Sequence, residues 1–324
     1  FTKNPTLKQL QNLHYYIEDN YKVIKTNFLY TALNSTNNLN IPIKHNYLYN
    51  TFITFDSFEK LKKQIKFEII INYSLDNLNG IVTFYSKTNN INLQTIKEIV
   101  SRLLFLNKYT NSTRLPEFII YASDLKKKLI LNTNNYLKNK EKVIRENNVN
   151  TAATDAYSKI IIWRKEELMK SIFHETVHFH NLDIINSSQK IKVYLQEHLN
   201  IAPRTQILVR EGYTEFITNI LNILFTIRND YTYNKFTEYF EKEKQFSIKQ
   251  IGIILSYFNY KSFVDFLKLD NYKTNKPLVF KQTTSCICYY IIKSLFLFNM
   301  ETIFANNFIS NMFLKYHNDQ TNDS

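Results

Sequence analysis

The chain has 324 residues, 44% of them hydrophobic, and a formal charge of +13, which is long and apolar enough for a sizeable core in one large or two adjoining domains. Only 3 Gly and 5 Pro occur, which argues against collagen-like, loop-rich or sandwich architectures, and neither a G-x-G-x-x-G nor a Walker-type phosphate loop is present. The 41 Lys and Arg are dispersed among Asn, Ile, Tyr and Phe, residues with AT-rich codons, so the charge reads as the mark of an AT-biased genome, viral ones included, and nucleic acid is disfavoured as a partner.

Residues 4–37 carry helical spacing through Leu7, Leu10, Leu13, Ile17 and Ile24, and an Asn-rich loop follows at 34–46. Residues 66–73 and 80–85 predict two strands joined by a turn at 74–79. An amphipathic helix is expected at 93–106 and a further strand at 118–121. The lysine runs at 60–66, 126–128 and 138–142 read as solvated faces. A polar, small stretch at 147–154 marks a boundary near 150, dividing an N-terminal α+β part (1–150) from a mostly helical catalytic part (151–324). Residues 159–163 predict a strand, and a helix follows with Glu166 and Glu167 in its first turn. Beyond 205 the chain predicts helices at 214–227, 248–257, 262–267, 286–298 and 303–316, with a loop at 270–277. The expected fold is α+β, mostly helical: a small sheet with a crossing helix, an active-site helix, then a helical C-terminal part.

His174-Glu175-Thr176-Val177-His178 is the H-E-x-x-H pattern. On a helix, positions four apart share a face, so both imidazoles can meet one cation, while Glu175 is offset enough to miss the metal and reach a water beside it. This is the layout of a zinc hydrolase, with Glu175 as general base. A second His six residues after His178 would be one common third ligand, but that position is Ile184. His180 projects to another face, and Asp183 is a candidate to orient a ligand.

Downstream, Arg210-Glu211-Gly212-Tyr213-Thr214-Glu215 resembles the E-G-x-x-E setting of the gluzincin metallopeptidases, a resemblance that covers roughly residues 159–220, with Arg210 where the family usually has Asn. It implies that Glu211 completes the zinc site and that Glu215, one turn on, orients a ligating His. It also implies a Tyr or His that stabilises the developing oxyanion, for which Tyr213, Tyr289 and Tyr290 are candidates, and it suggests an edge strand beside the active helix, at 159–163 or 118–121, to hold a peptide or protein substrate. Arg210 and Tyr213 are expected to contact substrate. The free-amine motif G-x-M-E-N of M1-like aminopeptidases is absent, which leans toward an endopeptidase. The competing readings are a structural or interaction protein, a virion component among them, with an inactive or structural metal site, and a basic nucleic-acid-associated protein; the presence of Glu175, which contributes nothing to metal binding, favours the enzyme.

Cys286 and Cys288 are the only cysteines and are too close in sequence for an unstrained disulfide, which favours a reducing compartment, intracellular or within a virion. No run of ~18 apolar residues predicts a membrane span. Residues 291–314 read as a buried helix pair, and a chain starting at Phe1 reads as a processed product or a fragment with no signal peptide at its start. Composition leaves the oligomeric state open.

Overall fold

The computed structural model describes residues 5–27, 29–36, 53–75, 78–89, 91–129, 142–154, 158–183, 188–203, 205–267 and 279–305. The fold is α+β and mostly helical. Helix α1 (Pro5–Asn27) leads into strand β1 (Leu29–Thr36), and α2 (Phe55–Gln64) precedes the hairpin of β2 (Phe67–Leu75) and β3 (Leu78–Ser86). Then come α3 (Leu93–Tyr109), β4 (Glu117–Tyr121), the single turn α4 (Glu146–Val149), β5 (Ala152–Thr154) and β6 (Lys159–Ile162). Helices α5 (Leu168–Phe179), α6 (Ser188–His198), α7 (Val209–Thr226) and α8 (Tyr233–Tyr257) follow. The chain then runs through a π-helical turn, Cys288–Ile292, straight into α9 (Lys293–Phe298) and on to α10 (Met300–Ala305).

The six strands form one sheet in the order β1-β2-β3-β4-β6-β5. β1, β2 and β3 pair antiparallel, β3–β4 and β4–β6 are parallel, and β5 returns antiparallel on β6. Parallel neighbours need a crossover, and α3 supplies the one between β3 and β4. The alternation of side chains along the central strands buries both faces. Phe118, Ile120, Ile160 and Ile162 point to one side, where Val100, Leu103 and Leu104 of α3 and Ile172 of α5 cover them. Ile119, Tyr121, Ile161 and Trp163 point to the other, against Phe58 and Leu61 of α2. Two-sided burial is why these segments read as unbroken apolar runs.

Four expectations need correction. Residues 29–36 are not part of a helical stretch: they pair with β2 along their whole length, and residues 34–36, placed in the Asn-rich loop, close that strand. The helix after β6 starts at Leu168, so Glu166 and Glu167 stand before it, held by Lys126 and Lys127. The helix expected at 262–267 is a single 3-10 turn, Val264–Phe266. Finally, neither 159–163 nor 118–121 supplies the sheet edge beside the active helix. Both lie inside the sheet, and the edge is β5, the three residues Ala152–Thr154, packed on α5.

Strands on both sides of residue 150 belong to this one sheet. The loop expected at 270–277, residues 37–46 and the chain beyond 305 lie outside the described residues, as do 138–141 of one lysine run. No described helix is long and apolar enough to cross a membrane.

Candidate metal centre

Helices α5 and α7 lie against each other through Phe173, Val177, Phe216 and Ile220, which belong to one apolar cluster. That packing sets the polar faces of both helices toward a cleft of 280 Å³ floored by His174, Glu175, His178 and Glu211, with β5 along one side. His174 Nε2 and His178 Nε2 are 3.0 Å apart, and Glu211 Oε2 lies 3.1 Å from His178 Nε2 and 3.4 Å from His174 Nε2. Three donors each about 2.0 Å from one tetrahedral cation stand ~3.3 Å from one another. Among the described residues this is the one group of three such side chains able to share a cation.

The other nitrogen of each ring faces a carboxylate. His174 Nδ1 is 2.9 Å from Glu215 Oε1, and His178 Nδ1 is 2.8 Å from Asp183 Oδ2. These partners favour the tautomers with a proton on Nδ1, which leaves both Nε2 lone pairs aimed at each other and at an anionic oxygen. Three electron-rich atoms so close repel unless a proton or a cation lies among them, and a divalent metal fits the donor set. Burial alone lowers the basicity of both rings, but Glu211 and Glu215 raise His174 to about 9, and Asp183 and Glu211 raise His178 to about 10. Burial pushes Glu211 up, and the two imidazoles overcome it and hold that carboxyl well below its usual range.

Glu175 is buried on the same side, and Thr154 of β5 donates a hydrogen bond to its Oε2 at 2.5 Å. Burial raises its carboxyl above the usual 4.5 against the pull of His174 and His178. Tyr289, in the π-helical turn, lines the cleft with its ring centroid 5.9 Å from that of His174. Its hydroxyl stays protonated, since burial and the carboxylates of Glu211 and Glu175 push it well above 10. A π-helical turn is common at functional sites because it re-aims neighbouring side chains.

The remaining sequence candidates are placed as follows. Tyr290 lines a smaller adjoining cavity with Lys170 and Lys293. Arg210 is exposed at the cleft mouth, its Nε 4.0 Å from both Asp183 and Glu211. Tyr213 is turned into the apolar core against Phe296 and is not brought to the cleft. His180 points away, its Nδ1 3.3 Å from Thr110 Oγ1.

Sequence reasoning passed over Thr154, which sits in a three-residue strand with no pattern, and Lys170, which reaches Glu215 across 45 positions of chain. Asp183 had no signal beyond its nearness to His178.

No family model matches the chain, and no solved structure matches it. An uncharacterized protein of Acanthamoeba polyphaga mimivirus is 31% identical to it over 125 residues, 36% of this chain. The chain spans 30% of that relative's length.

Proposed function

We propose that this chain is a zinc-dependent peptidase that hydrolyses peptide bonds of a peptide or protein substrate. The observation that carries the reading is the convergence of His174, His178 and Glu211 with both Nδ1 atoms turned to carboxylates, beside a buried carboxylate, Glu175. Zinc, when bound, would supply Lewis acidity, which activates water and polarises a carbonyl.

The protein's own groups do the rest. The outer edge of β5 runs along the cleft and offers backbone groups to an extended peptide. Glu175 takes a proton from the attacking water and passes it to the leaving amine; its raised basicity suits both halves of that task. Thr154 fixes the carboxylate that moves this proton. Tyr289, protonated and beside His174, donates to the oxygen that gains charge. Arg210 at the mouth holds a substrate carbonyl or carboxylate.

Likeness to a mimivirus protein supports a viral source, and a location inside the cell or in a virion belongs to the same proposal. Elemental analysis before and after chelation, with a peptide-library cleavage assay, tests it. Glu175→Gln is expected to keep zinc and lose turnover by about 10²–10⁴-fold, the usual contribution of a positioned base. Wild-type turnover in that variant, or purified protein that binds no zinc, would end the proposal.

A further inference from the structure

Behind His174 runs a row of side chains with alternating charge. Lys127 pairs with Glu167 at 2.5 Å, Glu167 faces Lys170 at 3.9 Å, Lys170 donates to Glu215 Oε2 at 2.9 Å, and Glu215 Oε1 meets His174 Nδ1 at 2.9 Å. We propose that Lys170 is a positioning residue for the metal centre: it holds the Glu215 carboxylate in the one orientation that aims His174 Nε2 at the cation. This rests on the metal-site part of the reading above and adds to it a residue that touches neither metal nor substrate.

The geometry is specific. Lys170 and His174 are four apart on α5, so both ends of the bridge stand on one helix face and Glu215 reaches across from α7 to span them. Each oxygen of Glu215 has its own partner, one the ammonium and the other the imidazole. A carboxylate anchored at one oxygen cannot turn away without breaking a charge-assisted hydrogen bond. Without Lys170 that carboxylate, 8% exposed with its residue, would be a buried anion free to swing toward solvent or to approach Lys293, and the imidazole would lose its guide.

The backbone supports a role beyond packing. Glu167, which braces Lys170 from the other side, is a non-glycine residue with φ of 62°, immediately before α5. Such residues are uncommon outside glycine, Asn and Asp, and they persist where the surroundings over-determine them. Here the left-handed turn sets the Glu167 carboxylate between Lys127 and Lys170. Lys170 itself keeps only 17% of its side chain exposed, so it is a cation placed among carboxylates and not a surface lysine in passing contact.

The test is zinc affinity measured by chelator competition, with the visible spectrum of the cobalt-loaded protein as a report on coordination geometry. Lys170→Met is expected to weaken zinc about 10–100-fold, the loss typical when a group supporting a ligand is removed, and to change the cobalt spectrum. Lys170→Arg, which keeps the cation, is expected to retain most of the affinity. Should Lys170→Met not fold, Glu167→Gln serves instead, since it loosens Lys170 from a half-buried position and is expected to weaken zinc severalfold. Wild-type affinity and spectrum in whichever of these variants folds would overturn the proposal. Zinc held tightly by the wild type with no peptide cleaved would remove the peptidase reading and leave this one standing; cleavage with Lys170→Met binding zinc as the wild type does would do the reverse.

Discussion

Adding one methyl group at Gly212 is expected to act on the site through the π-helical turn. Gly212 follows Glu211 on α7, and a Cβ built there would lie 2.7 Å from Ile292 Cγ2, 2.9 Å from Ile292 Cβ and 3.0 Å from the Cys288 carbonyl oxygen. Carbon atoms rest at about 3.5–4.0 Å, so the turn must retreat by roughly 0.8 Å or more. Glycine-to-alanine in a helix by itself gains about 1 kcal/mol, while forcing a methyl into a filled core costs about 1–3 kcal/mol. The net expected for Gly212→Ala is therefore a loss of about 0–2 kcal/mol. The same protein contains the control. Gly252, in α8, has nothing within 4 Å of its added Cβ, so Gly252→Ala should gain about 1 kcal/mol. Urea denaturation of the two variants beside the wild type reads the difference, about 1–3 kcal/mol between them. Under the proposed peptidase activity, turnover should separate them further: a shift of roughly 1 Å in Tyr289 costs on the order of 100-fold, whereas a Cβ at Gly252 displaces nothing. Equal stabilisation by both alanines would show that α7 and the turn do not meet as closely as described.

Two further outcomes follow from named contacts. Glu211→Ala should cost more zinc affinity than the ~10–100-fold expected of Glu215→Ala, because of the two only Glu211 belongs to the group that could share a cation, while Glu215 faces His174 Nδ1; the reverse order in a chelator titration would exchange their roles. Away from the site, Glu98 accepts from Arg102, Arg228 and Tyr21 beneath α3. Burial raises its carboxyl, but the two guanidiniums win and hold it below its usual 4.5. Its stabilisation is thus complete above that value and lost as pH falls through the lowered one. Glu98→Gln, which strands two buried cations, should cost about 3 kcal/mol near neutrality and flatten the fall in stability toward acid; parallel pH curves for variant and wild type would contradict this.

How far the sequence foretold the molecule varies by element. Strands β4 and β6 were legible because both their faces are buried, which leaves continuous apolar runs, and α3 because its apolar stripe is long. β1 was not: its eight residues, Leu-Tyr-Thr-Ala-Leu-Asn-Ser-Thr, show neither clean alternation nor β-branched density, and only the pairing offered by β2 makes them a strand. β5 is shorter still, and its place at the edge follows from the sheet order alone. In the site, His174, Glu175 and His178 were legible because helical periodicity places them without knowledge of the fold. Glu211 and Glu215 needed a resemblance, and the contacts made by Thr154 and Lys170 join elements whose proximity is a property of the packed helices. Tyr213 shows the limit of spacing arguments: two helix positions from a site residue is the opposite side of the helix, and its ring belongs to the core.

The donors that converge at the cleft come from chain positions 33 apart, with α6 lying in the span between them. A cation gripped from both sides would therefore fasten α5 to α7 as a rivet joins two plates. Mass action then makes the ion a folding partner: at a free concentration a hundredfold above its dissociation constant it would add about 2.7 kcal/mol. Chelation would withdraw that reinforcement together with the chemistry, and the packing of α5 on α7 is where loosening would begin.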